Sequence, residues 1–171
     1  MYYDEVIRAL NKNKVKYAVA GGVAVVIYGF TRFTADLDLI VELSKSNLEK
    51  LFDALYNLNY RPKVPVTKEQ FINRDNHREW INKKGMVVFS FFHLKDHLKL
   101  IDMFVTEPIK FSEIKKKIEK IKIDDLIVRT VCIEHLKKLK SLAGRPQDLI
   151  DIKNLEEIQR IKHEKIKRIK L

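Results

Sequence analysis

Cysteine, proline and glycine are scarce in this chain, at one, four and five of 171 residues. The lone Cys132 excludes an internal disulfide and points to a reducing compartment. It lies in the apolar stretch "IVRTVCI", where a small buried side chain is expected rather than a nucleophile. Long apolar runs are absent too: none approaches the roughly 20 residues that span a bilayer. The opening "MYYDEVIRALNKNK" is amphipathic and charged, without a signal-peptide core. A soluble cytoplasmic protein with no membrane partner is therefore expected. Glycine- or proline-rich linkers and internal repeats are missing, so one domain over 1–171 is expected, with 133–171 as a helical C-terminal extension. Acidic residues are in deficit, 23 against 34 Lys+Arg, which leaves a net charge of +11. That surplus suits polyanions such as nucleic acid or nucleotide phosphates, and equally suits a proteome rich in Ile and Lys. At 46% hydrophobic and 33% charged, the chain can bury a sizeable core.

Apolar spacing predicts a short helix over Tyr3 to Leu10, then a strand "VKYAVA" that runs into Gly21-Gly22. A short helix "GVAVVIYGF" follows and stops near Gly29. "ADLDLIVEL" alternates as a strand, with Asp36, Asp38 and Ile40 on one face and Leu37, Leu39 and Val41 on the other. A helix capped by Ser44 or Ser46 and another short one from Thr67 come next. "GMVVFSFFHL" and "HLKLIDMFVT" read as two strands of a hairpin turning at Lys95-Asp96. "FSEIKKKIEKIKI" reads as a basic segment capped by Ser112, "DDLIVRTVCI" as a last strand pair or a strand and its turn, and helices fill the chain from Glu134, broken at Gly144-Arg145-Pro146. The class is α/β or α+β.

Chemistry concentrates in a few of these elements. Two carboxylates at i and i+2 of a strand share a face, about 7 Å apart by strand rise. They repel, and partial burial raises both pKa values unless a cation compensates. Asp102 sits likewise inside an apolar strand. If the two strands are neighbours, three oxygen donors converge in a set that suits Mg²⁺ together with substrate phosphates. A Gly-Gly turn lets phosphate approach the backbone closely.

"GG" after a strand, then a helix, then "RFTADLDL" and later "LIDMFV" resembles the polymerase-beta-like nucleotidyltransferase superfamily. The closer likeness is to small prokaryotic nucleotidyltransferase-like proteins related to abortive-infection toxins of toxin–antitoxin pairs. These carry "GGxA…R-x-T-x-D-x-D" and a later "K…GRPKDLxDI"-like segment, which "LKKLKSLAGRPQDLIDIKNL" matches except at Gln147. The likeness runs over about residues 15 to 155. It implies a nucleotidyltransferase fold, a mixed twisted sheet flanked by helices, and transfer of a nucleoside monophosphate from a nucleoside triphosphate to a hydroxyl. It also implies Mg²⁺, or Mn²⁺, on the catalytic acids Asp36, Asp38 and Asp102. Gly21 and Gly22 would hold the triphosphate, helped by Arg32 or Thr34, while Lys140 or Arg145 reaches the phosphates. Gly22 stands where many members have serine, so a hydroxyl contact to phosphate is missing. Arg32 could equally clamp Asp36. RNA, tRNA, a protein or a small molecule could accept the nucleotide, and an antitoxin could be a partner. The alternative is a catalytically silent nucleotide-binding or nucleic-acid-binding protein of the same fold.

Other polar residues read as structural. His93 and His97 flank a turn and lack companion zinc ligands. Trp80 reads as core before it reads as a base-stacking platform. The "RIKHEKIKRIKL" tail continues from Ile158 with Ile161, Lys165 and Ile169 at packing spacing.

Overall fold

In the computed structural model, which describes residues 2–169, the alternating stretches form seven strands: β1 (Tyr17–Val19), β2 (Asp36–Val41), β3 (Tyr60–Pro62), β4 (Val88–His93), β5 (Leu100–Phe104), β6 (Glu119–Ile123) and β7 (Leu126–Thr130). They make one mixed sheet in the order β3-β4-β5-β2-β1-β7-β6. Central β2 runs antiparallel to β1 and parallel to β5, and β1 runs parallel to β7. The helices are α1 (Asp4–Lys12), α2 (Gly21–Ile27), α3 (Lys45–Asn57), α4 (Lys68–Ile72), α5 (Arg74–Lys84), α6 (Phe111–Lys116), α7 (Ile133–Ala143) and α8 (Pro146–Ile169). Among the described residues no helix is long and apolar enough to cross a membrane.

Alternation decides which face is the core. Leu37, Leu39, Ile101, Met103, Phe89 and Phe91 are all buried and share one side of β2, β5 and β4. Helices α3, α4 and α5 lay Phe52, Phe71 and Trp80 against that side, with Phe71 touching Phe52, Phe89 and Phe91. Trp80 is therefore core, stacked between His77 and Phe89. Thr67 starts α4 with a capping box: its hydroxyl accepts from the Gln70 N–H, and Gln70 Oε1 accepts from the Thr67 N–H. The opposite side of β2, β4 and β5 carries Asp36, Asp38, Ser90 and Asp102 among apolar residues and, apart from the buried Ile40, is only partly buried.

Four local readings change. The basic segment "FSEIKKKIEKIKI" splits, ending helix α6 early and giving strand β6. Lys110, not Ser112, precedes the first turn of α6, and no side chain caps it. β3 is a short strand that sequence alternation did not signal; it is an edge strand ending on Pro62, which costs no inner ladder bond. Ser44 does precede α3, but its hydroxyl donates to Glu42 instead of capping the helix. Cys132 is buried at the start of α7, and His93 Nδ1 accepts the N–H groups of Lys95 and Asp96 inside the turn. In the tail, Ile158 packs on the core while Ile161 is exposed. The side chains of Lys165 and Ile169 lie outside the described residues.

Phe71→Ala removes a fully buried ring that joins α3, α4 and β4. It is expected to cost about 3–5 kcal/mol of stability, read as a lower urea midpoint at unchanged slope.

Candidate active site

Register brings the carboxylates together. Asp38 of β2 lies directly beside Asp102 of β5 in the parallel ladder, and Asp36 is two residues along the same face. On the other flank of Asp102, its antiparallel partner in β4 is Ser90, whose hydroxyl donates to Asp102 Oδ1 at 2.6 Å. Ser90 was not singled out in the sequence. Its signal is there as the one hydroxyl inside "VFSFFH", on the face that alternation assigns to Asp102.

The electrostatics follow from crowding. Burial first, and then the charges of Asp102 and Asp36, push the Asp38 carboxyl up to about 6, against the opposing pull of Lys140 and Arg145. Asp36 is raised by burial and by Asp102, with Lys63 opposing. Three like-charged oxygen donors on a rigid sheet favour a hard divalent cation. As the side chains stand, among the described residues no group of three His, Cys, Asp or Glu converges enough to hold a metal ion. Asp102 is turned to Ser90, and Asp38 lies against the glycine turn.

That turn is built around Asp38. The Ala20 N–H donates to the Asp38 carbonyl, which pins the end of β1 to β2. Gly21 follows with φ +59, and a Cβ there would lie 1.7 Å from Asp38 Oδ2. Both the left-handed backbone and the close approach demand glycine. A Cβ at Gly22 would lie 2.4 Å from Thr34 Oγ1 and 3.2 Å from Arg32 Cζ, so Gly22 lets the Arg32–Thr34 segment close over α2.

Arg32 does not clamp Asp36. Its guanidinium donates to Asp151 Oδ2 at 2.5 Å, and Lys140 Nζ donates to the same oxygen at 2.5 Å. Lys140 also reaches Asp148 at 3.2 Å, and Arg145 Nε reaches Asp148 at 2.8 Å. Lys140, Asp148 and Asp151 are buried, so the lysine expected to reach phosphate is enclosed between two aspartates. Arg145, its side chain 74% exposed, is the cation of the group that faces solvent. Burial alone would raise the Asp148 carboxyl, but donors from Arg145 and Lys140 take it below the ordinary value. Asp151 is a fully buried pairing acid. The five charges tie α7 and α8 to the loop that leads into β2.

A groove of about 700 Å³ opens beside the loop, lined by Val23, Val26, Arg32, Phe33, Thr34 and Leu98 among others. Phe33 and Leu98 are 90% and 76% exposed there. Arg32 is the one charged side chain in that lining, and Thr34 and Ala35 lead directly from it to Asp36.

The family described as nucleotidyltransferase of unknown function (DUF6036) matches over residues 2–170. No curated protein matches the chain in sequence. Among solved structures, the lincosamide antibiotic adenylyltransferase LnuA with lincomycin bound is similar at 17% identity, with 87% of this chain and 90% of that chain covered and a TM-score of 0.56. ANT(2")-Ia in complex with adenylyl-2"-tobramycin is similar at 15% identity, with 96% and 95% covered and a TM-score of 0.56. An antigenic nucleotidyltransferase-like protein from Paracoccidioides brasiliensis is similar at 14% identity, with 94% and 75% covered and a TM-score of 0.56. At such identities these three show a shared fold.

Two outcomes are expected. The folded protein binds the Asp38 proton more tightly than the unfolded chain does, so the stabilisation is complete below pH ~4 and is lost as pH rises through about 6. In EDTA, Asp38→Asn should therefore be more stable than the parent at pH 7.5, by about 1–3 kcal/mol, with the gap closing at pH 4 in urea titrations. Asp151→Asn takes from Arg32 its carboxylate and leaves Lys140 with Asp148 alone, and should cost about 3–5 kcal/mol. Arg32→Gln should cost less, because Lys140 still neutralises Asp151.

Proposed function

Because the chain belongs to the DUF6036 nucleotidyltransferase family, we propose that it moves a nucleoside monophosphate from a nucleoside triphosphate, ATP in the first instance, to a hydroxyl acceptor with Mg²⁺ or Mn²⁺ as cofactor. The observation that carries the proposal is the side-by-side register of Asp38 and Asp102, with Asp36 on the same face. Asp36, Asp38 and Asp102 would hold the cation, which when bound neutralises the carboxylates and the phosphate charge. The triphosphate lies against Gly21 and Gly22, where the missing side chains let phosphate oxygens meet the backbone, with Thr34 alongside Gly22. Arg145 approaches from the turn between α7 and α8 as the exposed cation, while Lys140 and Arg32, held by Asp151, fix the shape of the loop.

The chemistry is an in-line displacement. The acceptor oxygen forms a bond to the α-phosphorus as the bond to the bridging oxygen breaks, and pyrophosphate leaves. Asp102 takes the acceptor proton on the carboxylate oxygen not engaged by Ser90, and Ser90 keeps that oxygen aimed.

The groove beside Asp36 supports an acceptor that is a small molecule with an apolar body, since its lining offers one charged side chain, already paired. The net charge of +11 supports the second reading, an RNA or tRNA acceptor. A toxin role would add an antitoxin partner that co-purifies with the chain. A silent nucleotide-binding module is the remaining alternative, and Gly22, where many members of the superfamily have serine, favours it.

The four α-labelled triphosphates, offered with Mg²⁺ to RNA and separately to a small-molecule extract, should label one of them. Asp36→Asn with Asp38→Asn, and Asp102→Asn alone, should each reduce labelling at least a thousandfold while circular dichroism is unchanged. Labelling that survives both changes would sink the three-acid site, and calorimetric nucleotide binding without pyrophosphate release would favour the silent module.

A further inference from the structure

A second concavity, of about 360 Å³, lies at the end of β1 and β2 remote from Gly21 and Asp36. Tyr17 pairs with Val41, five residues along β2 from Asp36, which is about 17 Å by strand rise. Five cations line it: Lys14 and Lys16 from the turn before β1, Lys115 from α6, Lys120 from β6 and Arg129 from β7. Only Lys16 is paired, to Glu42 at 2.7 Å; among the described residues the other four make no ion pair.

Arg129 is the informative member. It is half-buried, and its guanidinium donates to Asn11 Oδ1 and lies over the Tyr17 ring. Asn11 is itself fixed, since its Oδ1 accepts from Tyr17 and its Nδ2 donates to the Ile127 carbonyl. The guanidinium is thus held in one orientation without a carboxylate. A partly desolvated cation left without a counter-ion is unfavourable, and an anion entering the concavity would supply one. Lysines on an exposed edge strand guard against strand pairing, which accounts for Lys120 but not for a half-buried arginine in the inner strand. Lys14 holds φ 54, the sparsely populated left-handed region, at the rim of the same concavity.

We propose that this concavity is a binding site for a phosphate-rich anion, separate from the candidate active site. A guanidinium fork suits one phosphate group and three flexible ammonium groups suit its neighbours. Two sources share that chemistry, a small oligophosphate and the backbone of an RNA strand.

The test uses the full chain in EDTA with two probes, inorganic tripolyphosphate by calorimetry and a fluorescein-labelled 12-nucleotide RNA by anisotropy. The exposed pair Lys115→Gln with Lys120→Gln, and Arg129→Gln separately, are compared with Lys45→Gln plus Lys50→Gln on α3, which matches the pair in charge and removes one charge more than Arg129→Gln. Affinity for at least one probe should fall about tenfold in both site variants and less than twofold in the control, with melting temperatures unchanged for the lysine pair. A fall confined to tripolyphosphate assigns a small oligophosphate, and a fall for RNA assigns nucleic acid. Equal losses in the control, unchanged affinity in the lysine pair, or no binding of either probe to the parent at millimolar concentration would overturn the proposal. None of these readouts depends on nucleotide transfer.

Discussion

Like charge held at close quarters is the constraint around which the rest of the molecule is arranged. Asp38 and Asp102 are neighbours because β2 and β5 run parallel in register, and that register is fixed by the apolar set on the reverse side. A slip of one residue would move Leu37, Leu39, Ile101 and Met103 out of the core. The hydrophobic face therefore supplies the free energy that keeps two carboxylates where electrostatics alone would separate them. Everything adjacent accommodates this: Ser90 donates to Asp102, Gly21 gives Asp38 room, and the cations Lys140 and Arg145 offset part of the negative charge felt at Asp38.

The buried charges next door follow a different logic. Arg32, Lys140 and Arg145 face Asp148 and Asp151, three cations against two anions, so the group carries one positive charge in excess. That excess lies toward Asp38. A buried network of this kind adds little net stability over a well-packed apolar one, but losing one member is costly. It acts as a joint, fixing the C-terminal helices against the loop that carries Arg32 and Thr34.

The parts of this arrangement that depend on local pattern were legible in the sequence. The alternation of "ADLDLIVEL" and "LKLIDMFV" gave both aspartate strands, and the glycine pair marked the turn between β1 and α2. The parts that depend on pairing between distant segments were not. Nothing near Arg32 in the chain indicates that its partner is Asp151, and the arginine's competing choices, phosphate or Asp36, are both local. Lys140 belongs to a lysine-rich helix, so its burial between two aspartates could not be told from a solvated position. Ser90 gains meaning only through the register of β4 on β5. The strand β6 was hidden because a run of Lys and Ile satisfies a helical period as readily as an alternating one.

The Arg32–Asp151 contact has a kinetic consequence. It joins residues 119 apart in sequence, a loop whose closure must wait for the chain between to organise. The sheet and its aromatic layer can assemble from β2, β4 and β5 without it. A refolding chain should thus pass through a period in which its secondary structure is present and the loop over α2 is still unfastened. Competence for the proposed nucleotide binding would be acquired last, when the final helix docks, so recovery of that binding should lag recovery of ellipticity.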